Sequence, residues 1–157
     1  MSTLSTLGLD FKNAFEANIR LAIASADPNG NVLLDWGYPE PEYADDFILL
    51  MKLDGSQAIA TLGTVRSREE TMMLDVHFCS WRSDQRQADA AAWSWLQLVA
   101  RWVRGGLAYG DTTLGGVVRQ CFLTSYSAQG FTYTPDRSKG RGCEIIATFT
   151  ANARVTG

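Results

Sequence analysis

The chain's one histidine, His77, stands in the run Asp75-Val76-His77-Phe78-Cys79. Alternate residues of an extended strand share a face, so Asp75, His77 and Cys79 would point the same way. Carboxylate, imidazole and thiol together are the donor set of a zinc site or of a Cys/His nucleophile pair. Two features argue against both chemistries. Side chains two apart on one strand are rooted about 6.5–7 Å from each other, too far to close a tight chelate unaided. The other cysteines, Cys121 and Cys143, are distant in sequence and show no Cys-x-x-Cys spacing. The run reads as the polar outer face of a half-buried strand. Other signatures of catalysis are missing too. Leu114-Gly115-Gly116 is followed by no Gly-Lys-Ser/Thr, and neither Gly-x-Gly-x-x-Gly nor Gly-x-Ser-x-Gly occurs. The carboxylates of Glu69-Glu70 and Asp45-Asp46 are sequence neighbours and diverge in extended chain. The sequence assigns no catalytic residue, no metal ligand and no cofactor. The function it supports is one of contact.

A contact surface has to be held by elements, and hydrophobic periodicity supplies them. Phe11, Ala14, Phe15, Ile19, Ala22, Ile23 and Ala26 recur at helical spacing. They predict an amphipathic helix over 10–26 with Asp10 as N-cap, stopped by Asp27-Pro28-Asn29-Gly30. Val32 to Trp36 predicts a short strand, and the double-proline stretch that follows predicts a loop at 37–46. Phe47 to Leu53 predicts an apolar strand ended by the turn signal Asp54-Gly55, and Ala58 to Val65 a further strand. After the polar step Arg66-Ser67-Arg68-Glu69-Glu70, the stretch Met72 to Trp81 alternates. It sets Met72, Leu74, Val76 and Phe78 against Met73, Asp75, His77 and Cys79, the pattern of a strand covered on one side only.

Gln85 to Arg104 predicts a second helix with the stripe Ala88, Ala91, Ala92, Trp95, Val99, Trp102 and Val103, ended by Gly105-Gly106. Trp93 falls off that stripe, near Ala90, Gln97 and Arg101; it either closes the helix edge or contacts another chain. A connector, Asp111 to Gly116, leads into a predicted strand over Val117 to Ser127. Residues 128–142 hold three of the 14 glycines and three cations, and predict a long loop. Glu144 to Val155 predicts the closing strand, with Ile145, Ala147, Phe149 and Ala151 on its inner face. The fold class that follows is α+β. It is a single, mostly antiparallel (mixed) β-sheet with two amphipathic helices packed on one face, in one domain over 1–157.

Composition narrows the classes further. The chain has 157 residues, 46% hydrophobic and 20% charged, enough for a real core and incompatible with wholesale disorder. Its longest apolar run, Phe47 to Met51, is far below the ~18 residues of a membrane span. No basic-then-apolar leader opens the chain, and three cysteines do not make a disulfide framework, so the expectation is an intracellular, soluble protein. The net charge of −3 lacks the basic excess of a dedicated nucleic-acid binder. Charge is nonetheless uneven. Residues 35–54 carry six acidic side chains against Lys52 alone, while 128–142 carry Arg137, Lys139 and Arg141 against Asp136. These segments could meet within one chain or between copies arranged head to tail. Eleven of the 14 cations are arginine, which suits bidentate pairing with carboxylates. Tyr38, Tyr43, Trp81, Trp93, Phe131 and Tyr133 lie in predicted loops or helix edges, and aromatics beside arginines are the composition of protein–protein interfaces.

Taken in order, these elements resemble the tail terminator (tail completion) proteins of long-tailed bacteriophages. The resemblance rests on the opening amphipathic helix and the step Arg66-Ser67-Arg68-Glu69-Glu70 ahead of Met72-Met73-Leu74-Asp75-Val76. It continues through the helix Ala88 to Arg104, the connector Thr113-Leu114-Gly115-Gly116-Val117-Val118, and the approach Gly140-Arg141-Gly142-Cys143-Glu144 to the last strand. It covers nearly the whole chain, and the order of elements carries more weight than any single motif. It implies a homohexameric ring in the virion, assembled in the host cytoplasm. The ring would stack on the last ring of tail tube protein and face the head connector, with genomic DNA passing through the lumen without specific binding. It implies no catalytic residue, no cofactor and no membrane contact. The candidate surface for neighbours comprises Arg66, Arg68, Glu69, Glu70, Trp93, Arg101, Phe131, Tyr133, Arg137, Lys139, Arg141, Asp45 and Asp46. In this expectation the loop 128–142 orders on docking, with Phe131 and Tyr133 as anchors. The alternatives are a head–tail connector adaptor or head-closure protein, a tail tube protein, a small enzyme using His77 and Cys79, and a ligand-binding α+β domain.

Overall fold

The computed structural model describes residues 5–27, 31–37, 44–59, 67–105, 111–132 and 140–156. Two helices, α1 (Gly8–Ala26) and α2 (Gln85–Val103), accompany five strands. The strands are β1 (Val32–Trp36), β2 (Asp46–Ile59), β3 (Ser67–Arg82), β4 (Gln120–Thr132) and β5 (Arg141–Thr156). They form one sheet in the order β1-β2-β3-β5-β4, in which β1 pairs parallel to β2 and every other neighbour is antiparallel. The predicted α+β architecture is the one observed.

β3 is the spine. It is paired along its length with β5, from Ser67↔Thr156 to Arg82↔Arg141, and with β2 on the other side. Its alternation sends Met72, Leu74, Val76 and Phe78 into one core with Ile145, Ala147, Phe149 and Ala151 of β5. Phe11, Phe15, Ile19 and Ile23 of α1 and Ala88, Ala92, Leu96, Val99 and Val103 of α2 close that core from the same side. A second, smaller cluster lies on the opposite face, where Phe47 and Leu49 meet Cys79, with Leu33, Met51 and Trp81 packed against them. The near-continuous apolar run in β2 is thereby explained: Ile48 and Leu50 join one cluster, Phe47 and Leu49 the other.

The structure corrects the sequence reading at several boundaries. Asp54-Gly55 makes no turn: β2 runs through it, with Asp54 opposite Met73 and Gly55 opposite Met72. A turn preference is local, and an uninterrupted partner strand overrides it. The separate strand expected over Ala58 to Val65 is the tail of β2, ending at Ile59; residues 60–65 lie outside the described residues. The polar step at 66–70 is strand from Ser67 onward. The predicted strand at Val117 starts later, at Gln120, because Thr112 to Val117 form turns. There Leu114 adopts a left-handed backbone (φ 52°) followed by Gly115 (φ 76°) and Gly116 (φ 89°), which turns the Leu114 side chain into the core. Residues 128–132 are not loop but β4, paired down to Thr132↔Arg141.

Two irregularities cross the sheet on one line. β2 shifts register between Leu50 and Leu53, and β4 between Leu123 and Ser125; their partners Leu74 of β3 and Phe149 of β5 face each other. Extra residues of this kind bend a strand and free backbone groups from the ladder. Side chains satisfy them here. Lys12 Nζ donates to the Met51 carbonyl at 2.9 Å while lying 4.5 Å from the Trp36 ring centroid, and Thr124 Oγ1 donates to the Thr148 carbonyl at 3.1 Å.

Gly142 provides a test of the packing on the outer face. A Cβ there would stand 2.6 Å from the ring of Phe131, which itself packs edge-on against Trp81 at 4.5 Å between centroids. Gly142→Ala is expected to displace the Phe131 ring and destabilise the fold by about 1–3 kcal/mol. Thermal denaturation together with the near-ultraviolet dichroism of Trp81 measures both effects.

Candidate functional site

The expected contact residues that are described fall at the two ends of the sheet and on α2. At the end where β3 begins, charges alternate between its two faces. Glu69 lies on the face away from the helices and accepts from Arg119 Nη2 at 2.7 Å, with Arg154 Nε, its cross-strand neighbour, at 3.5 Å. Glu70 turns the other way and is only 3% exposed. Its Oε1 accepts from the Leu7 amide at 2.6 Å, and its Oε2 from Thr6 Oγ1 at 2.6 Å and Gln57 Nε2 at 2.8 Å. α1 has no capping side chain of its own; Leu7 stands at its N-cap, and the expected cap Asp10 lies within its first turn. Glu70 does that work from a distant strand, so its carboxylate is engaged within the chain. Burial raises its pKa, but hydrogen bonds from Thr6, Leu7 and Gln57 and the Arg68 charge lower it more, and the net direction is down. Arg68 is half-buried beside it, and Arg66 lies outside the described residues.

At the opposite end Asp46 opens β2 and is held by Arg82 in a fork, Nη1 to Oδ1 at 3.1 Å and Nη2 to Oδ2 at 3.0 Å. The acidic segment thus meets a cation inside the same chain, and Arg82 is a partner that the sequence did not single out. Asp45 accepts the Trp81 amide through its carbonyl at 2.8 Å. Phe131 lies over Gly142 and against Trp81 as part of β4, and exposed Arg141 donates to Thr132 Oγ1 at 3.0 Å. Tyr133, Arg137 and Lys139 lie outside the described residues. On α2, Trp93 packs edge-on against Tyr126 of β4 at 5.2 Å, closing the helix edge, and Arg101 is exposed in the last turn.

The middle of the outer face holds the sequence's chemical candidates; the structure sets Asp75 apart and brings His77 and Cys79 to one carboxylate. Asp75 accepts from Thr148 Oγ1 at 2.8 Å. His77 Nδ1 and Cys79 Sγ each lie 3.6 Å from Glu144 Oε2. Among the described residues no three His, Cys, Asp or Glu side chains come together as a metal site. Burial pushes the thiols of Cys121 and Cys143 up to about 12, far from thiolate chemistry near neutral pH. This face is also less polar than expected. Met73 and Phe122 flank Thr150 from both sides, 42% and 41% exposed, and Ile146 is 37% exposed. A groove of about 580 Å³ runs past Thr6, Leu53, Gln57 and Glu70, but the Glu70 oxygens that line it already hold protein donors.

One feature was missed altogether. β4 forms an outer edge of the sheet, and its 13 residues contain no charge and no proline. The signal is in the sequence, but the glycines and cations of 128–142 make residues 128–132 read as loop, which hides the length of the uncharged run.

With this geometry in hand, the chain matches no protein-family model and no curated protein. Among solved structures it is similar to a chain from "Virion of native gene transfer agent (GTA) particle". The likeness has a TM-score of 0.55 at 17% identity and covers 93% of this chain and 94% of that one. The two share a fold from end to end.

Glu70 gives the site's clearest test. A lowered folded-state pKa means that the carboxylate stabilises the fold above the ordinary glutamate value of 4.5, and that this contribution is lost as pH falls through the folded value. Glu70→Ala is expected to lose about 2–3 kcal/mol at pH 7, the range for buried hydrogen bonds to a charged group. Denaturant titrations at pH 7 and pH 3 should find the variant's deficit smaller at the lower pH; an equal deficit at both would remove the charged form from the account.

Proposed function

We propose that the chain is a structural virion protein that caps the head-proximal end of a phage tail tube. In this reading copies join as a ring, hexameric by resemblance, that ends tube polymerisation and offers the docking surface for the head connector. No catalytic step and no cofactor is involved, and genomic DNA passes through the ring without specific binding. The observation that carries the reading is the end-to-end likeness to a chain of a gene transfer agent virion, 93% and 94% of the two lengths. The order of elements from α1 to β5, which resembles tail terminators, supplies the finer assignment.

The side chains support a contact role. Glu69, Arg119 and Arg154 form an exposed mixed-charge cluster at one end of the sheet, next in sequence to Arg66 and Arg68. Arg141 is exposed at the other end, at the edge of the segment carrying Tyr133, Arg137 and Lys139. Trp93 and Arg101 mark a third patch on α2. Asp46 and Glu70 act behind these surfaces, holding β2 and α1 in place, while Asp45 stands at the mouth of β2.

Two experiments test the reading. Electron microscopy of lysates from a phage or prophage lacking this gene is expected to show free heads and tails of uncontrolled length. Tails of normal length that fail to join heads would move the protein to the connector side of the joint, and normal particles would remove it from the virion altogether. Within the ring, Arg66→Glu is expected to weaken assembly. Normal particles from a phage carrying that variant would take Arg66 out of the interface.

A further inference from the structure

Two edges of this sheet are open, and they differ. β4 pairs with β5 on its inner side, and among the described residues no strand pairs with its outer side. Thr124 to Gly130, seven residues in succession, are exposed, with no charge and no proline in the strand. Soluble proteins guard bare edges with lysine, proline, bulges or covering segments, because an unpaired row of N–H and C=O groups is a template for another strand. β4 has only the bulge at Thr124. On the far side of the sheet, β1 covers β2 only from Asp46 to Leu50, so among the described residues the half from Lys52 to Ile59 has no strand on that side: Lys52 lies in the bulge, and Leu53 to Ile59 pair with β3 alone. That half of β2 carries Lys52 and Asp54, ion-paired at 3.2 Å.

Strand polarity matches the two edges to each other. β2 is antiparallel to β3, β3 to β5 and β5 to β4, so β4 runs antiparallel to β2. A second copy set alongside in the same sense therefore presents its free half of β2 antiparallel to β4, the more stable type of ladder. Both edges also carry exposed apolar side chains that a join would bury: Phe122 and Tyr126 on β4, and Ile59, 77% exposed, on β2.

We propose that β4 of one copy pairs with the Lys52–Ile59 half of β2 in the next copy, head to tail, so that the sheet continues across the subunit boundary. Such a contact is heterologous: each copy gives one edge and receives at the other, and repetition about an axis closes a ring in which neither edge stays bare. A two-fold pairing of β4 with β4 would cover the uncharged strand but leave the free half of β2 open in both copies. That the ring caps a tail rests on the function proposed above; the pairing of edges does not.

Charged edges test the join. Ser125→Lys/Ser127→Lys guards β4, and Ser56→Lys/Ala58→Lys guards β2; all four positions are exposed. Far-ultraviolet dichroism and melting establish that each variant folds, and Gln129→Lys replaces the β4 pair if it does not. Sedimentation equilibrium of the full chain, carried to millimolar concentration, is expected to show wild-type association growing beyond a dimer. Each variant alone is expected to associate at least tenfold more weakly, and the two mixed are expected to form a 1:1 pair that grows no further, because each retains the edge the other lacks. A wild-type chain that stays monomeric, or guarded variants that associate as wild type does, would overturn the proposal. A β2-guarded variant that dimerises alone while the β4-guarded one does not would replace it with the two-fold β4 pair. These masses are independent of the deletion phenotype, so a normal tail in the deletion strain would refute the capping function and leave the edge pairing standing.

Discussion

Everything in this fold depends on burying one face of a sheet whose spine, β3, has partners on both sides. β3 alternates from Glu70 to Phe78, and its inner residues need a cover that neither neighbouring strand can provide. α1 and α2 provide it from separate parts of the chain, one ahead of β1 and the other between β3 and β4, and their apolar stripes merge with the β3 and β5 side chains in one cluster. Among the described residues, the opposite face carries only the small cluster around Phe47, Leu49 and Cys79. A sheet covered on one side exposes its second face and its edges together, so the same constraint that makes the core also makes the surfaces available for contact.

Holding two helices on a sheet requires their termini to be satisfied, and the acidic residues do much of this. Glu70 receives the Leu7 amide at the start of α1, and Asp84 receives the Gln87 amide at the start of α2 at 3.3 Å. Asp27 accepts the amide of Val32 at 2.8 Å as the chain enters β1. Asp111 accepts from the Thr113 and Gly115 amides and from Thr113 Oγ1, which lowers its pKa and fixes the turn that buries Leu114. Among the described residues, the carboxylates of Glu70, Asp84, Asp27, Asp111 and Asp46 are thus engaged by backbone donors or by Arg82. Charge segregation along a sequence is a poor guide to charge segregation in space where an acid, like these five, has a donor within the fold.

The sequence carried the fold class, both helices and the alternation of β3 and β5, because those signals are periodic and need no knowledge of partners. It was misleading where a local signal met a long-range one. Asp54-Gly55 has the chemistry of a turn, yet β3 runs alongside and keeps the chain extended. Gln129, Gly130 and Thr132 looked like loop residues, yet they pair with Glu144, Cys143 and Arg141. Glu70 looked like one of a solvated pair, and nothing within six residues of it reveals that its partners are Thr6, Leu7 and Gln57. Among the contact candidates, Trp93 was legible as a residue off the helical stripe, but its partner Tyr126 depended on the register of β4 and could not be read in advance.

The accounting of chemical groups also bears on what kind of protein this is. A catalytic site needs polar groups that are positioned but not consumed by the fold. Here burial holds the thiols of Cys121 and Cys143 neutral, the Glu70 carboxylate is filled by protein donors, and Asp75 and Glu144 are each engaged by neighbours on the outer face. Besides three single buried atoms, Ser80 Oγ, Trp102 Nε1 and Asn152 Oδ1, what the described structure leaves unsatisfied is extended: a row of backbone groups along β4, a half-row along β2, and a face where Met73, Phe122 and Ile146 stand between threonines. Extended, uncharged and repetitive groups are poor at chemistry and good at recognising another strand or another face. Bulges on one line across β2 and β4 are devices that bend strands, and in the head-to-tail pairing proposed above a bent sheet would curve instead of extending flat. Among the described residues, then, several carboxylates are engaged within the fold while two strand edges stay open, the distribution of groups on which the head-to-tail pairing proposed above rests.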